Sequence, residues 1–481
     1  MMSSWIVADN SRFKYSERQP FRNRSANVKN PINRRDLFKT SAAAGFGAVI
    51  AGTTLSGCAQ SVHKAEPAVM LNYPTPPKDV IKVGFVGIGN MGSGHIRNLS
   101  RIEGCQVAAV CDVRPERTAW AKQVLMDAGH PEPTAYTDGP RDFQRMCEQE
   151  ELDLVYSAAP WEWHAPIALT AMRNGKHAAT ELNLAMSLDD CWELVETSEK
   201  HRRHCMMMEN CCYDYTEMVL LNMIQKGLFG EMIHGECGYL HDLRALKLSP
   251  TYYYNMWRLQ YSIKRNGNLY PQHGIGPMAW CMGIHHGDAL DYMVSFSSKG
   301  RGLNAYAREH YPDSEWVHQK FALGDVNTCL IRTKNGKTII CKHDTNLPRP
   351  YSRDFLVQGA KGLARKYPEP LVHIEGRSRS HQWEKLDAYF DEFEHPVWTK
   401  LKEDAAGAGH GGMDFIEDYR LIQALRKGIQ PDINVYDSVV WNAVIPLSEK
   451  SVARNGEPVK FPDFTRGAWK TARPLGVDTL Y

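Results

Sequence analysis

From Val80 onward the chain alternates short apolar runs with stretches of helical spacing. Val80–Val86 reads as a strand and Gly92–Ile102 as a helix. Gln106–Cys111 is the next strand and closes on Asp112. Leu152–Ala158 follows as a strand, then a helix over Ala165–Arg173, then the strand His177–Thr180. Ser187-Leu-Asp-Asp190 is a capping-box-like start for a helix over Cys191–Lys200, and Cys205–Met208 is a further apolar strand. Strands alternating with helices predict an α/β fold with a parallel, doubly wound sheet. Past about residue 210 the texture changes to Tyr- and Trp-rich stretches and longer strands. Val326–Thr333 and Gly336–Lys342 meet at Lys334-Asn335-Gly336, and Asn-Gly is a hairpin signal, so a mainly antiparallel sheet in an α+β domain is expected. Asp437–Val452 returns to helical spacing and is expected to pack back on the fold.

The first 78 residues follow neither pattern. Arg34-Arg35 precede Asp36-Leu37-Phe38-Lys39 and an uncharged apolar run from Ser41 to Leu55, the order of a twin-arginine export signal. That run is shorter than the roughly 20 apolar residues of a membrane span. Leu55-Ser56-Gly57-Cys58 looks like a lipobox, in which Cys58 becomes a lipidated first residue and the only attachment to a membrane. Residues 1–58 hold nine Lys/Arg and three Asp/Glu, so a leader at +6 leaves the rest at −4 within the total of +2. A mature chain without basic excess argues against nucleic acid as a partner. Residues 59–78 are polar and Pro-rich, a tether. The expected organisation is signal 1–58, linker 59–78, dinucleotide-binding domain 79–209 and substrate domain 210–481, with a periplasmic or cell-surface lipoprotein as product. Of 12 cysteines one is Cys58; the other 11 form no C-x-x-C pair, and most are expected to be buried and inert.

Gly87-x-Gly89-x-x-Gly92 sits directly after a strand, opens a helix, and is followed 20 residues beyond Gly92 by Asp112 at a strand end. These contexts make it a dinucleotide fingerprint. Gly87 permits the tight turn, Gly89 the approach of the pyrophosphate and Gly92 close helix–strand packing, while Asp112 favours NAD over NADP by bonding the ribose hydroxyls. In a doubly wound sheet ligands lie at the carboxyl ends of strands, which places the loop Ser157–His164 and the stretch Glu181-Leu182-Asn183 on the nicotinamide side. His285-His286 and His410 lack metal-ligand spacing, and no metal site is expected.

With these residues in view, the N-terminal half resembles the Gfo/Idh/MocA family of sugar-acting, NAD(P)-dependent proteins. Further segments are similar to one branch, glycoside hydrolase family 109, the NAD-dependent α-N-acetylgalactosaminidases: Pro160–Pro166 (PWEWHAP), Arg203–Asp214 (RHCMMMENCCYD), Gly238–Arg244 (GYLHDLR), Asn268–Pro277 (NLYPQHGIGP), His410–Phe415 (HGGMDF) and Phe461–Lys470 (FPDFTRGAWK). The resemblance implies that Asn90, Met91, Asp112, Trp161, Glu162, Trp163, His164, Glu181, Leu182 and Asn210 contact the cofactor. It also implies that Tyr239, Arg258, Tyr270, His273 and Tyr351 serve substrate or catalysis, with Pro271 and Gln272 in the same substrate segment. Two departures stand out. Sugar dehydrogenases of the wider family carry Glu-Lys-Pro, with the lysine as acid/base, where this chain has Glu181-Leu182-Asn183. Pro271-Gln272 replaces an expected Pro-Thr, which could alter specificity at the sugar.

The implied chemistry reconciles export with NAD. Hydride removal from C3 of the sugar acidifies the C2 proton, the C1 group leaves by elimination, water adds, and the hydride returns, so no external dinucleotide pool is consumed. His273 is the expected acid/base at the C3 hydroxyl or C2, histidine being the side chain that titrates nearest neutrality. Tyr270 and Tyr351 are its expected partners, with Arg258 and Tyr239 orienting the sugar. The rivals are a net NAD-dependent sugar oxidoreductase, disfavoured by the missing lysine and the export signal, and a non-catalytic glycan-binding lipoprotein, disfavoured by the intact residue set. By analogy with such second domains, the antiparallel sheet is a surface for homo-oligomers.

Overall fold

The computed structural model describes residues 69–477. The export signal, Cys58 and the first part of the tether lie outside the described residues. Eleven elements build the first sheet: β1 (Ile81–Val86), α1 (Asn90–Leu99), β2 (Cys105–Cys111), α2 (Pro115–Asp127), β3 (Thr134–Tyr136), α3 (Asp142–Gln149), β4 (Leu154–Ser157), α4 (Trp161–Arg173), β5 (His177–Thr180), α5 (Leu188–His201) and β6 (Cys205–Met207). The strands run parallel in the order β3-β2-β1-β4-β5-β6. Their registers align the carboxyl ends: Val86 pairs with Cys111 and Ser157, and Thr180 with Ser157 and Met207. β1, β4 and β6 are almost wholly buried, as a sheet covered by helices on both faces requires. The expected cap of α5 is present, with the Ser187 hydroxyl accepting from the Asp190 N–H at 3.1 Å.

The remaining elements are α6 (Tyr215–Gln225), β7 (Met232–Leu240), α7 (Arg244–Leu248), α8 (Trp257–Lys264), α9 (Gln272–Met282), β8 (Leu290–Ser297), α10 (Gly302–His310), β9 (Val326–Thr333), β10 (Thr338–Asp344), β11 (Leu356–Gly359), β12 (Gly362–Arg365), β13 (Leu371–Ile374), β14 (Glu384–Lys385), α11 (Phe390–Phe393), α12 (Pro396–Leu401), α13 (Met413–Lys427), α14 (Val435–Ala453) and β15 (Val459–Lys460). Nine strands form one sheet in the order β14-β13-β12-β11-β7-β10-β9-β8-β15. Every neighbouring pair is antiparallel except β7 and β10. The expected hairpin joins β9 to β10, with Gly336 at φ +91° in its turn.

Two local expectations change. The helix after the glycine loop begins at Asn90, so Gly92 lies inside it, and the segment expected as a loop at Trp161–His164 is the first turn of α4. The final helices stitch the halves together. α14 starts on a capping box of Asn434 and Asp437 and sets Ser438 beneath β6, where its hydroxyl accepts from the Met207 N–H at 3.0 Å. α13 lies along α1, where Asp418 meets His95 and Asn98. The chain enters pinned to these helices, Met70 N–H donating to the Tyr436 hydroxyl at 2.9 Å and Thr75 N–H to the Gly428 carbonyl at 2.8 Å.

Candidate active site

The loop between β1 and α1 has the shape a dinucleotide needs. A Cβ on Gly92 would stand 2.1 Å from the Gly87 carbonyl oxygen, and Gly87 itself sits at φ +88°, so both positions require glycine. Gly89 is the opposite case, since a Cβ there would meet nothing within 4 Å; its flank is open. α1 has no side-chain cap, which leaves its first N–H groups free for a phosphate. Asp112, at the end of β2, accepts from the Ile88 N–H at 2.7 Å and the Arg114 N–H at 2.9 Å. Its carboxylate thus holds the glycine loop and the ribose-side loop in one place. Asn90, Met91, Trp161, Glu181, Leu182 and Asn210 stand at the same carboxyl edge of the sheet. Trp163 and His164 turn away. Trp163 packs edge-on against Phe143, and His164 is fully buried with its Nδ1 2.8 Å from the Asn183 carbonyl. The Glu162 carboxylate accepts from the Tyr261 hydroxyl at 3.3 Å.

Beyond that edge lies an aromatic pocket. Gly274, in the first turn of α9, approaches Gly238 of β7 so closely that a Cβ would lie 2.5 Å from the Gly238 nitrogen. This close approach sets His273 against Tyr239, with ring centroids 5.2 Å apart. Tyr270 completes the group, 4.6 Å from Tyr239 and 4.9 Å from His273, and stacks on Trp161 at 5.7 Å. The Arg258 guanidinium lies over Tyr270 at 4.7 Å and Trp161 at 5.2 Å. No carboxylate pairs with Arg258 among the described residues, which leaves its donors for a ligand. Tyr351 meets this group across His241, and its hydroxyl accepts from Nη1 of the buried Arg353 at 3.1 Å. Arg353 is fixed in turn by Glu217 and Asp214, at 2.8 and 3.0 Å. Gln272 does not join: fully buried, it donates to Asn442 Oδ1 at 2.9 Å. The departure at this position is therefore absorbed by the packing under α9, and Pro271 is the residue on which α9 begins.

Proton-handling groups hang from one short turn. Glu209 accepts from His273 Nδ1 at 2.8 Å and from the Cys211 N–H at 3.0 Å. A carboxylate only accepts, so Nδ1 carries the hydrogen and Nε2 presents a lone pair. The next residue, Asn210, donates to Asp414 at 2.6 Å, and the other oxygen of Asp414 meets His410 Nδ1 at 2.8 Å. Two carboxylate-backed imidazoles thus flank the turn Glu209–Cys211. Glu209, Cys211 and His273 also place three donor atoms within 4.8 Å of one another. The hydrogen bond from Nδ1 to Glu209 accounts for their closeness. The Cys211 sulfur stands 3.2 Å from His273 Nδ1, and burial pushes its thiol pKa well above the ordinary value; all eleven described cysteines are free and buried as expected.

Comparison with known proteins decides the family. The family model for the glycosyl hydrolase 109 C-terminal domain matches residues 213–471, and that for the oxidoreductase family with the NAD-binding Rossmann fold matches residues 81–209. A glycosyl hydrolase family 109 protein of Saccharopolyspora erythraea is 44% identical over 94% of this chain and 97% of its own length. One from Shewanella pealeana is 40% identical over 93% of this chain and 99% of its own. The chain belongs to glycosyl hydrolase family 109. It is a glycoside hydrolase whose first half is an NAD-binding Rossmann domain. Among solved structures it is similar to levoglucosan dehydrogenase in complex with NADH and L-sorbose, at TM-score 0.63, 19% identity, and 80% and 99% coverage of the two chains. It is also similar to scyllo-inositol dehydrogenase from Lactobacillus casei with bound NAD(H), at TM-score 0.57, 14% identity, and 79% and 99% coverage. These likenesses are of fold.

Electrostatics in this family 109 site follow from burial. His95 bridges Glu181 at 2.8 Å and Asp418 at 2.9 Å. Desolvation alone would depress its pKa, but the two carboxylates outweigh it and hold His95 well above the ordinary value. Beside it Glu417 is fully buried with both oxygens unpartnered, and burial together with Glu181 and Asp418 pushes its pKa well above normal. His241 is driven the other way, to about 4, by burial first and then by Arg258 and His273. His410 is raised, chiefly by its bond to Asp414. Glu209, His241, His410, Asp414, His95 and Asp418 are absent from the sequence-based site. Glu209, His241, His410 and Asp414 lie in segments that carry the family resemblance without being assigned a role there, whereas His95 and Asp418 are brought together only by contact between α1 and α13.

Proposed function

We propose that this chain is an exported hydrolase of α-N-acetylgalactosaminides that works by reversible oxidation at C3 of the sugar, on a dinucleotide it never releases. The observation that carries the reading is the pair of carboxylate-backed imidazoles, His273 on Glu209 and His410 on Asp414, held by consecutive residues beside the carboxyl edge of the NAD-binding sheet. Leu182, buried and apolar, occupies the place of the dehydrogenase lysine, which disfavours net alcohol oxidation.

Bound NAD supplies a hydride acceptor and donor at C3. The chain's residues handle everything else. His273 Nε2 takes the C3 hydroxyl proton, with Glu209 steadying the imidazolium that forms. Arg258, without a carboxylate of its own, and the tyrosine hydroxyls of Tyr239 and Tyr270 hold the sugar and the developing ketone oxygen. The proton lost from C2 passes to His241, which burial keeps neutral beside Tyr351, and returns to C2 after water adds, while Tyr351, its hydroxyl accepting from Arg353, keeps its own proton. His410 gives a proton to the C1 leaving group and takes one from the incoming water. All steps then reverse, and the sugar keeps its oxidation level. None of this requires the paired carboxylates of displacement glycosidases. The terminal N-acetylgalactosamine rests on the sequence resemblance, and export on the twin-arginine order around Arg34-Arg35.

The test is hydrolysis of a chromogenic α-N-acetylgalactosaminide in heavy water. Elimination requires the C2 proton to leave and return, whereas displacement at C1 never touches it. Released sugar is expected to carry deuterium at C2 without accumulation of NADH. Efficient hydrolysis with no label at C2 sinks the mechanism.

A further inference from the structure

Between α7 and α8 the second half of the chain sends out Ser249-Pro-Thr-Tyr-Tyr-Tyr-Asn-Met256, a segment with no assigned role. It is pinned at both ends. The Ser249 hydroxyl accepts from the Tyr252 N–H at 3.2 Å, and the Tyr253 hydroxyl accepts from Arg258 Nη1 at 3.1 Å in the sugar pocket. Tyr253 also meets Trp257 edge-on at 5.3 Å, and Trp257 meets Trp161 at 5.0 Å. Between these anchors the segment crosses to the other half of the molecule. The Asn90 side chain, at the start of α1, stands beside Tyr252, and the Arg114 guanidinium lies 5.5 Å from the centre of the Tyr254 ring. Asn90 and Arg114 bracket the dinucleotide site, one in the glycine-loop turn and the other bonded to Asp112. The crossing is backbone-strained. Asn255 and Met256 take left-handed conformations at φ +51° and +49°, uncommon for a side chain such as methionine. Tyr252 and Tyr254 are also left 43% and 47% exposed, although large apolar rings normally find cover. A chain that bears this strain and exposure only to touch two residues of the cofactor site points to a task at that site.

We propose that Ser249–Met256 is a clasp that binds the dinucleotide from the substrate domain, Tyr252 closing the phosphate end at Asn90 and Tyr254 bracing Arg114 at the adenosine end. Its function is retention. A dinucleotide recycled within each turnover has no use for fast exchange, and outside the cytoplasm every release is a permanent loss. The clasp runs from the sugar pocket through Tyr253 and Arg258, so it covers the cofactor without blocking the substrate. The inference draws its purpose from the recycled-cofactor reading but its test depends only on NAD binding.

The experiment compares full-length wild type with Tyr252→Phe, Tyr254→Ala, the double variant and Arg114→Gln. Each is saturated with NAD, freed of excess, and diluted into alcohol dehydrogenase with ethanol, which converts released NAD to NADH for optical detection. Bound dinucleotide per chain is measured in parallel after denaturation. The double variant is expected to release NAD roughly tenfold faster, the scale of removing one hydrogen bond and one cation–π interaction together. Arg114→Gln is expected to speed release as Tyr254→Ala does and to add little to it, since both remove the same interaction. A double variant that folds and releases at the wild-type rate overturns the clasp. Should it fail to fold, the isosteric Tyr252→Phe decides: faster release supports the clasp and an unchanged rate overturns it. Failure of the C2 label with NAD still clasped would remove the glycosidase mechanism and leave this inference standing.

Discussion

His273 owes its chemistry to a residue 64 positions away in the chain. Glu209 fixes the tautomer, so the lone pair on Nε2 faces the pocket rather than the interior. His273→Ala is expected to lower turnover by roughly 100- to 10,000-fold, the range for a missing general acid–base group, with bound NAD unchanged. Glu209→Gln keeps the shape and removes the charge. It is expected to cost about 10- to 100-fold, because a hydrogen bond to a charged group is worth about 1.5–3 kcal/mol. Steady-state kinetics with a dinucleotide assay separate these outcomes; loss of NAD in either variant would make the dyad structural. His410 gives a pH signature. Its bond to Asp414 raises its pKa, so the acid form extends to higher pH than in an ordinary histidine and is lost as pH rises through the raised value. As donor to the leaving group it sets an alkaline limb of kcat, and Asp414→Asn is expected to move that limb to lower pH. A pH–rate profile with an unmoved limb excludes His410 from this role. At this scale turn chemistry and strand context mark the glycines and Asp112, whereas Tyr270 and His273 are named by the family resemblance. Gln272 stood in the same motif as His273, yet successive positions at a helix start point different ways, and only the fold reveals that Gln272 faces Asn442.

The elements explain why such residues meet. Four parallel pairings bring the ends of β1, β2, β4, β5 and β6 to one edge, and each end delivers a site residue or loop. That much is legible, since apolar runs alternating with helical spacing leave few topologies open. β3 is too short, with two of its three residues exposed, to make a periodic signal. The parallel β7–β10 pairing is equally invisible, because strands nearly one hundred residues apart share no local pattern. α13 is the largest omission and the most consequential. Its face presents Asp414 to His410 and Asn210, and Asp418 to His95, while Glu417 is buried beside Glu181. One helix from the end of the chain thus supports proton-handling groups in the second half and the Glu181 side of the cofactor edge in the first. Its acids sit at positions 414, 417 and 418, a spacing that shares one helix face. Sequence alone reads such a triplet as a solvated stripe; the packing of α13 on α1 turns it inward.

For the whole molecule, the export proposed above demands an order of events for NAD. The first described residues emerge beside Tyr436 and run along α13 and α14. The proposed twin-arginine route moves folded proteins, and folding in the cytoplasm would let the Rossmann domain load before departure. The alternative general route threads chains unfolded, and an unfolded Rossmann domain holds no dinucleotide. Replacing residues 1–58 by a leader for that second route is therefore expected to deliver an empty chain, inactive as recovered and restored by added NAD. The chain with its own leader should arrive holding dinucleotide and need no addition. Changing Arg34 and Arg35 to lysine should hold a loaded, active chain in the cytoplasm. Comparing NAD per chain among the three preparations ties export, folding and cofactor into one measurement. A threaded chain recovered outside the cytoplasm with NAD already bound would mean that loading does not precede export, and the twin-arginine leader would lose its physical reason.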